Sequence, residues 1–450
     1  MRSKADKEFY RQISRLVVPI MIQTFMLALV SATDAMMLGF VDQDSLSAVS
    51  LATQVQFVFN LFVSAMAIGT GVIAAQYWGK RDAASIERVI PIALRMNLLC
   101  GCLFTLAAAL VPELLMRILT NEPELISRGA GYLRVVSPSY VLCGISQIYL
   151  TVLKNTDHAG VSSRISSTAV VLNIVLNGVL IFGWLGMPRL EIRGAAIATV
   201  AARLMEVVWG MLETRKPERV WVLWAGLLQR SRELSRYFWH YTFPVLGASL
   251  VWGVAYVMYS VIMGHMGSDA VAANSVTTIT RSMMLCLTRG ISGGAGIMIG
   301  NLLGAGKLEQ AKDYGRRLTR LAIAMGICTG CTLMAISPLI VRLVGFGETV
   351  SGYIQTMMLF CGVNVMFQAV NNTVLDGIFC AGGDARFDML GNIGAMWCFS
   401  VPMGFMAAFW WKLPPMAVYC IVNMDEIVKI PAVYHHYKKY RWLRNITRTT

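Results

Sequence analysis

The feature that most constrains the fold is a series of apolar runs, each long enough to cross a bilayer, that occurs twice. Sliding the chain by half of its 450 residues aligns Pro19 with Pro244. The alignment continues without a gap as far as Gly79 and Gly304. On the way it pairs Gly39 with Gly264, Asp44 with Asp269, Ala48 with Ala273, Gly69 with Gly294 and Gly71 with Gly296. Such a register indicates a duplicated chain.

The apolar runs set the number of helices. About 20 mostly apolar residues span the hydrocarbon core of a bilayer. Runs of this kind fall at 16–38, 46–75, 89–112, 130–153, 161–184 and 194–213, and again at 238–264, 270–303, 318–343, 352–381, 389–411 and 415–434. They predict an all-α polytopic membrane protein with twelve transmembrane helices, six per repeat. Because six spans return the chain to the same side, the repeats are parallel, about an axis along the membrane normal.

Domain organisation and orientation follow from the loops. We expect a first lobe at 1–213, a cytoplasmic linker at 214–237, and a second lobe at 238–450 with a basic cytoplasmic tail. Trp221 and Trp224 among flanking arginines are typical either of an amphipathic helix at the headgroups or of a plain connection. Lysine and arginine concentrate in the loops on one side, which predicts that both termini are cytoplasmic.

Composition narrows the functional class. The chain is 56% hydrophobic and only 14% charged, whereas roughly a quarter of residues in soluble domains are charged. The net charge of +14 is spread over short segments between apolar runs, which favours cationic loops over nucleic-acid binding. The ten cysteines mostly lie inside apolar runs and lack zinc-ligand spacing, so neither a disulfide framework nor a metal site is expected.

Motifs argue against an enzyme. The chain has no HExxH, GxSxG or Walker A motif, so we expect no catalytic residues and no cofactor, and uphill transport would draw on an ion gradient. Asp34 is the one ionisable residue of its apolar run, where an acid costs a few kcal/mol or more. Asn173 and Asn177 are one turn apart and share a helix face. Each could instead be an ordinary interhelical contact.

Other charged residues in apolar runs have two possible roles. Arg203 and Glu206, three residues apart, form either an accessory part of a site or a self-neutralising pair. In the second half, Arg281, Arg289, Asp376, Asp425, Glu426 and Lys429 either pair across the lobe or, for the acids of helices 10 and 12, lie near the cytoplasmic boundary.

A mouth between the two lobes would need polar and aromatic side chains. Its expected lining is Gln23, Gln54, Asn60, Tyr256, Tyr259, Asn274, Asn364, Gln368 and Asn371. The 28 methionines suit a poorly discriminating site, since flexible methionine-rich surfaces adapt to different ligands. The expected partners are therefore the lipid bilayer and a small amphipathic substrate.

Several segments resemble one known family. They are TDAMMLG at the end of helix 1, QYWGKRD after helix 2, LNIVLN and FGWLGMPRLEIRGAAIAT across helices 5 and 6, IGNLLGAGK after helix 8, and AGGDAR after helix 10. Over nearly the whole chain the sequence resembles the multidrug and toxic compound extrusion (MATE) transporters. The resemblance implies two six-helix lobes around a V-shaped cavity, and antiport of bulky, often cationic, amphipathic compounds against H+ or Na+.

The resemblance also implies a coupling site. The first-lobe cation site of the family falls on Asp34, Asn173, Asn177 and Thr199. Many members with that site carry an aspartate where this chain has Asn177, so the resemblance favours H+ over Na+ here. The other branch of the family has acids on helices 7 and 10. This chain has Trp252 and the stretch 369–371 at those places, so a second-lobe site of that kind is not expected.

An alternative function stays open at this point. A lipid-linked oligosaccharide flippase of related architecture would line its cavity with fixed positive charge for pyrophosphate. Arg95, Arg203, Arg281 and Arg289 are candidates, and the discriminating observation is whether they are paired with acids. For either function we expect a monomer in the cytoplasmic (inner) membrane of a bacterium.

Overall fold

The computed structural model describes residues 4–217, 219–222, 224–227 and 231–447. Within these ranges the chain is almost wholly helical and has no β-strand. Residues 218, 223 and 228–230 of the linker lie outside the described residues. The described part of the linker contains a short 3₁₀ turn at Trp224–Leu227 and no longer helix before Arg232.

The helices form two sets of six. The first repeat comprises α1 (Lys4–Gly39), α2 (Gln43–Gly79), α3 (Ala83–Leu110), α4 (Pro123–Val136 and Pro138–Asn155), α5 (Ala159–Phe182) and α6 (Glu191–Thr214). The second comprises α7 (Arg232–Gly264), α8 (Ser268–Gly304), α9 (Leu308–Val344), α10 (Glu348–Phe379), α11 (Ala385–Trp410) and α12 (Pro415–Val422 and Asp425–Lys438). A short helix, Pro112–Leu119, connects α3 to α4.

Length and apolar character make ten of the described helices candidate membrane spans. The two parts of α4, which are bent by 46° relative to each other, make an eleventh when counted as one span. The remaining element, α12, is divided between Val422 and Asp425 into pieces of 8 and 14 residues. The prediction of an all-α membrane protein with twelve helices in two repeats is confirmed.

Helix starts differ between the repeats at equivalent positions. The N–H of Ser45 donates to Asp42 at 2.6 Å and begins α2. The repeat-related α8 begins after Gly267, whose φ of +101° suits a residue without a side chain. Asp and Ser are preferred N-caps because their oxygens satisfy free N–H groups of the first turn. The repeat has therefore kept the helix but not its cap.

The chain divides into two compact units. One unit joins Met1–Thr24 to Phe243–Thr450, and the other is Phe25–Thr242. Both boundaries lie inside helices, α1 and α7, whereas the loop pattern predicts them at either end of the linker. The hydroxyl of Thr24 donates to the carbonyl of Cys286 in α8 at 3.0 Å, so the beginning of α1 is tied to the second repeat.

Each unit has its own apolar core. In the unit Phe25–Thr242 the core is built around the rings of Phe59 and Tyr140, whose centroids are 5.1 Å apart. In the other unit it includes Tyr259, Met358 and Val418. Polar side chains that are buried beside these cores need partners, since an unsatisfied buried polar group costs about 1–3 kcal/mol.

Candidate functional site

The Asp34 site consists of Asp34, Asn173, Asn177 and Thr199. Asp34 and Thr199 are half-buried, on α1 and α6, and the two asparagines of α5 are 5% and 0% exposed. Close packing of α5 on α6 brings the helices together, since a Cβ added at Gly194 would lie 2.6 Å from the carbonyl oxygen of Leu180.

Hydrogen bonds connect the members of the Asp34 site. Asn177 Nδ2 donates to Asp34 Oδ1 at 2.6 Å and to Asn173 Oδ1 at 3.1 Å. Asn173 Nδ2 lies 3.4 Å from Thr199 Oγ1, which itself donates to the carbonyl of Ala195 at 3.0 Å. The structure therefore brings together all four residues of the first-lobe site expected from the sequence.

The asparagine side chains of this site can serve in two orientations. With its amide reversed, Asn173 places its nitrogen 3.2 Å from Asp34 Oδ1 and its oxygen 3.3 Å from the N–H of Thr199. Asn177 Oδ1 is buried without a hydrogen-bond partner among the described residues. An unused carbonyl oxygen next to a carboxylate can accept a proton donor or a hard cation, because carboxylate and carbonyl oxygens suit such ions.

The buried ion pair of α6 lies one turn beyond Thr199. Arg203 Nη1 is 2.8 Å from Glu206 Oε2, and the side chain of Glu206 is only 1% exposed. Two opposite charges at this distance neutralise each other. Arg203 is therefore not a free cation for a ligand.

The Arg281 site consists of Arg281 on α8 with Asn364 and Gln368 on α10 and Asn423 between the two parts of α12. Arg281 Nη1 donates to Asn423 Oδ1 at 3.1 Å. Its Nη2 donates to Asn364 Oδ1 at 3.1 Å and to Gln368 Oε1 at 2.7 Å. All three acceptors are neutral amide oxygens, and the ion pairs formed within the described ranges do not include Arg281.

A second polar group lies in α12. Lys429 Nζ is 3.3 Å from Asp425 Oδ2 and 3.4 Å from Glu426 Oε1, and all three residues are 5% exposed. Asn371 Nδ2 donates to the main-chain oxygen and to Oε2 of Glu426, both at 2.8 Å. These charges are thus buried and paired within the second repeat.

Asp376 and Arg289 differ from that group because they are exposed. Asp376 lies in the π-helical end of α10, Thr373–Phe379. It is within electrostatic range of Arg289 and of Asp388. Wide π-helical turns occur often at functional positions.

The residues expected to line a mouth lie in different environments. Gln23, Tyr259, Asn364, Gln368 and Asn371 are buried, Asn274 is half-buried, and Gln54, Asn60 and Tyr256 are exposed. The ring of Tyr256 stacks on that of Trp252, with centroids 5.5 Å apart and planes 17° from parallel. The structure thus divides this set into buried and exposed side chains.

Three residues near these sites were missed from the sequence. Buried Tyr132 is within electrostatic range of Asp34. Asp388 accepts a hydrogen bond from Asn392 Nδ2 at 3.2 Å. Asn423 holds Arg281. A polar residue inside the apolar run 415–434 could have drawn attention to Asn423, whereas Asp388 lies just before the run 389–411 and carries no such signal.

Comparison with known proteins gives concordant relatives. The MatE family profile matches residues 19–179 and 244–406. The uncharacterized transporter YisQ of Bacillus subtilis is 21% identical over 99% of this chain and 97% of its own. The probable multidrug resistance protein NorM of Deinococcus radiodurans is 25% identical over 88% of this chain and 87% of its own.

The fold also has a solved counterpart. A MOP superfamily transporter from Pyrococcus furiosus has a TM-score of 0.87 over 100% of both chains, at 16% identity. The two matched segments of the MatE profile begin at Pro19 and Pro244, the same residues at which the internal repeat aligns. With that profile covering well over half of its residues, the chain belongs to the MATE family of multidrug efflux transporters.

Proposed function

We propose that this chain exports small amphipathic, often cationic, compounds by antiport against H+, with Asp34 as the group that carries the proton. The contact of 2.6 Å between Asn177 Nδ2 and Asp34 Oδ1 is the observation on which the proposal rests. It gives the ionised carboxylate a hydrogen-bond donor inside the helix bundle. Such hydrogen bonds are about twice as strong as neutral ones.

Protonation would change this contact. An ionised Asp34 accepts from the Asn177 amide nitrogen, which leaves Asn177 Oδ1 buried and without a partner among the described residues. A protonated Asp34 is itself a donor, and once the amide of Asn177 has rotated, that oxygen would accept the hydrogen bond from Asp34. The exchange satisfies a group whose burial costs about 1–3 kcal/mol. Proton binding therefore favours a different packing of α1 against α5, which alters access for the substrate.

Sodium is a weaker candidate for coupling. The Asp34 site has one carboxylate, and Asn177 turns its nitrogen rather than its oxygen toward it. A proton needs only the carboxylate. Each transported proton would supply about 1.4 kcal/mol per pH unit and about 2.3 kcal/mol per 100 mV of membrane potential. With both termini on the cytoplasmic side of the inner membrane, as the loop charges favour, the gradient would drive export.

One observation favours a second candidate, the lipid-linked oligosaccharide flippase. Arg281 is held by neutral amides and so keeps a positive charge that could meet a pyrophosphate. Against it, Arg203 is neutralised by Glu206, which removes one of the four arginines that such a cavity would use. For the transporter of Pyrococcus furiosus with the same fold, a reversed polarity of the binding pocket is described as suggesting a different function.

The test is dye transport in proteoliposomes, with a pH gradient and a Na+ gradient imposed separately. The proposal expects the pH gradient alone to move a cationic dye. Asp34→Asn should abolish this transport, and Asp44→Asn, which changes an exposed acid at the start of α2, should not. Transport driven only by Na+ would overturn the choice of proton. No dye movement with either gradient, together with scrambling of a lipid-linked oligosaccharide, would favour the flippase.

A further inference from the structure

We propose that Arg281 binds a carboxylate of the transported compound, and that the aromatic part of the same molecule packs on Tyr256 and Trp252. The ligand class is thus an amphipathic aromatic acid, including zwitterions that carry a cationic group as well. This inference rests on the proposed function only in taking the exported compound as the ligand. It assigns to the second repeat a task separate from ion coupling.

Two of the three amides around Arg281 are fixed with their oxygens toward the guanidinium. The nitrogen of the Asn364 side chain donates to the main-chain oxygen of Asn423. The nitrogen of the Asn423 side chain donates to the main-chain oxygen of Tyr419 at 2.9 Å. Since both nitrogens are engaged, neither amide can reverse without losing a bond. The guanidinium is therefore oriented in advance, which lowers the entropic cost of binding.

These contacts leave both charge and donors for a ligand. A guanidinium has five N–H groups, and the amide oxygens of Asn364, Gln368 and Asn423 engage three of them. Neutral oxygens hold a cation without neutralising it. Arg281 is half-buried, so the residue is partly desolvated and still keeps some accessible surface. Arginine is the side chain best suited to carboxylates because its planar donors match their geometry.

The nearby acids do not form a direct ion pair with Arg281. Asp425 and Glu426 are within electrostatic range of Arg281, but both are contacted by Lys429, at 3.3 and 3.4 Å. Arg203 in the first repeat shows the alternative, a direct ion pair at 2.8 Å. A partly buried cation whose hydrogen-bond partners are all neutral amides still attracts an anionic ligand.

The aromatic pair on α7 provides the second half of the site. Tyr256 is 36% exposed and within electrostatic range of Arg281, and its ring lies almost parallel to Trp252. Parallel stacked rings offer a flat apolar surface, and ring-on-ring contacts add to the free energy of burial. An aromatic acid can use both features at once, whereas a phosphate lacks an apolar part for the rings.

The experiment compares two ligands that differ by one charge. Equilibrium binding to the purified full chain is measured by fluorescence polarisation for a xanthene dye with a free aryl carboxylate and for its methyl ester. We expect wild type to bind the acid about tenfold more tightly than the ester, and Arg281→Gln to remove that preference while it binds the ester normally. Arg281→Lys should keep part of the preference. Equal affinity of wild type for acid and ester would overturn the proposal, whatever the variants do.

Two control variants test whether the acid preference belongs to Arg281. Arg289→Gln removes a positive charge from the same helix outside the amide contacts, so it should keep most of the preference; a loss as large as in Arg281→Gln would assign the effect to overall charge and overturn the proposal. Asp34→Asn should retain the acid preference in binding even when transport is abolished. The binding assay uses no gradient, so a failure of proton coupling and a failure of the Arg281 site give different results.

Discussion

The two repeats surround a partly buried arginine with different kinds of partner. In the first repeat, Arg203 meets the carboxylate of Glu206 at 2.8 Å, and the two charges cancel. In the second, Arg281 meets three amide oxygens, at 2.7 to 3.1 Å, and its charge persists. A buried ion pair contributes little net stability but is costly to break. The first arrangement therefore serves the structure, and the second is available to a ligand.

The internal alignment extends this comparison to the acid. Asp34 aligns with Tyr259, and Arg281 aligns with Gln56. Neither charge has a counterpart in the other repeat, although the helices that carry them are duplicated. The duplication therefore supplied a common scaffold, and the charges were placed in one repeat at a time. Coupling by Asp34 and anion binding by Arg281 would be separable functions of the two repeats.

The largest expected difference between the two arginines is in the stability of the variants that lack them. Arg203→Gln leaves Glu206 buried without its partner, which we expect to cost about 3–5 kcal/mol. Arg281→Gln removes a cation whose partners are neutral, and we expect a loss of about 1–3 kcal/mol. Thermal unfolding in detergent measures both. The double variant Arg203→Gln/Glu206→Gln should recover most of the loss, and equal destabilisation by the two single variants would contradict the distinction.

A second carboxylate should change the ion that the first repeat uses. Asn177→Asp places a carboxylate next to Asp34, and two like charges in contact favour a bound cation. We expect a Na+ gradient alone to drive dye accumulation in this variant, up to about tenfold per tenfold gradient for one ion per substrate. Asn121→Asp, at an exposed position in the loop before α4, is the control. Proteoliposomes in which Asn177→Asp remains indifferent to Na+ would argue against Asp34 and Asn177 as the coupling site.

Helix caps provide a smaller contrast between the repeats. Asp82 accepts from the N–H and the hydroxyl of Ser85 at 3.0 and 2.7 Å at the start of α3, whereas α9 begins after Lys307 without a side-chain cap. Asp82→Ala should cost about 1 kcal/mol, and Asp82→Asn, which can also cap, much less. Lys307→Ala should be nearly neutral. The measurement is again thermal unfolding, and a comparable loss in Lys307→Ala would contradict the assignment.

The smallest expected effect is a pH dependence confined to the first repeat. The hydrogen bond from the Ser85 hydroxyl lowers the pKa of Asp82, and the main-chain hydrogen bond from Ser45 lowers that of Asp42. A carboxyl group whose pKa is lowered in the folded state stabilises the fold at any pH above its unfolded pKa, which is near 4. That contribution is lost as the pH falls through the folded pKa. Protection against hydrogen exchange at 42–45 and 82–85, measured relative to the intrinsic rate at each pH, should fall below about pH 4. The segment after Gly267 is the internal control, and a parallel loss of protection there would contradict the caps as the cause.

Much of the fold could be read from the sequence because it depends on local and repeated signals. Apolar runs of bilayer length predict helices with few alternatives, since every main-chain polar group in lipid has to be satisfied within the element. The gapless register from Pro19 and Pro244 predicts the duplication. The spacing of Asn173 and Asn177 places both on one face of α5. Asp34 could be singled out as well, because it is the one ionisable residue of its apolar run.

The second repeat was harder to interpret because its contacts depend on the rotation of whole helices. Arg281 could have faced an acid, a ligand or the headgroups, and only tertiary packing directs it to Asn364, Gln368 and Asn423. Lys429 is a local case by contrast, because Asp425 and Glu426 lie four and three residues before it on the same helix. Spacing along one helix can suggest a pair such as Arg203 and Glu206, but it does not tell which neighbouring helix a side chain meets.

The beginning of α1 has a consequence for biosynthesis. Its Thr24 bonds to Cys286, 262 residues later in the chain, and its Asp6 to Arg317, 311 residues later. The ribosome delivers this segment first, yet its neighbours in α8 and α9 are made only after more than half of the chain. Insertion of the first helix into the lipid therefore precedes its final packing by most of the synthesis time. A nascent chain that stops after α6 exposes that surface to lipid or to quality-control proteases.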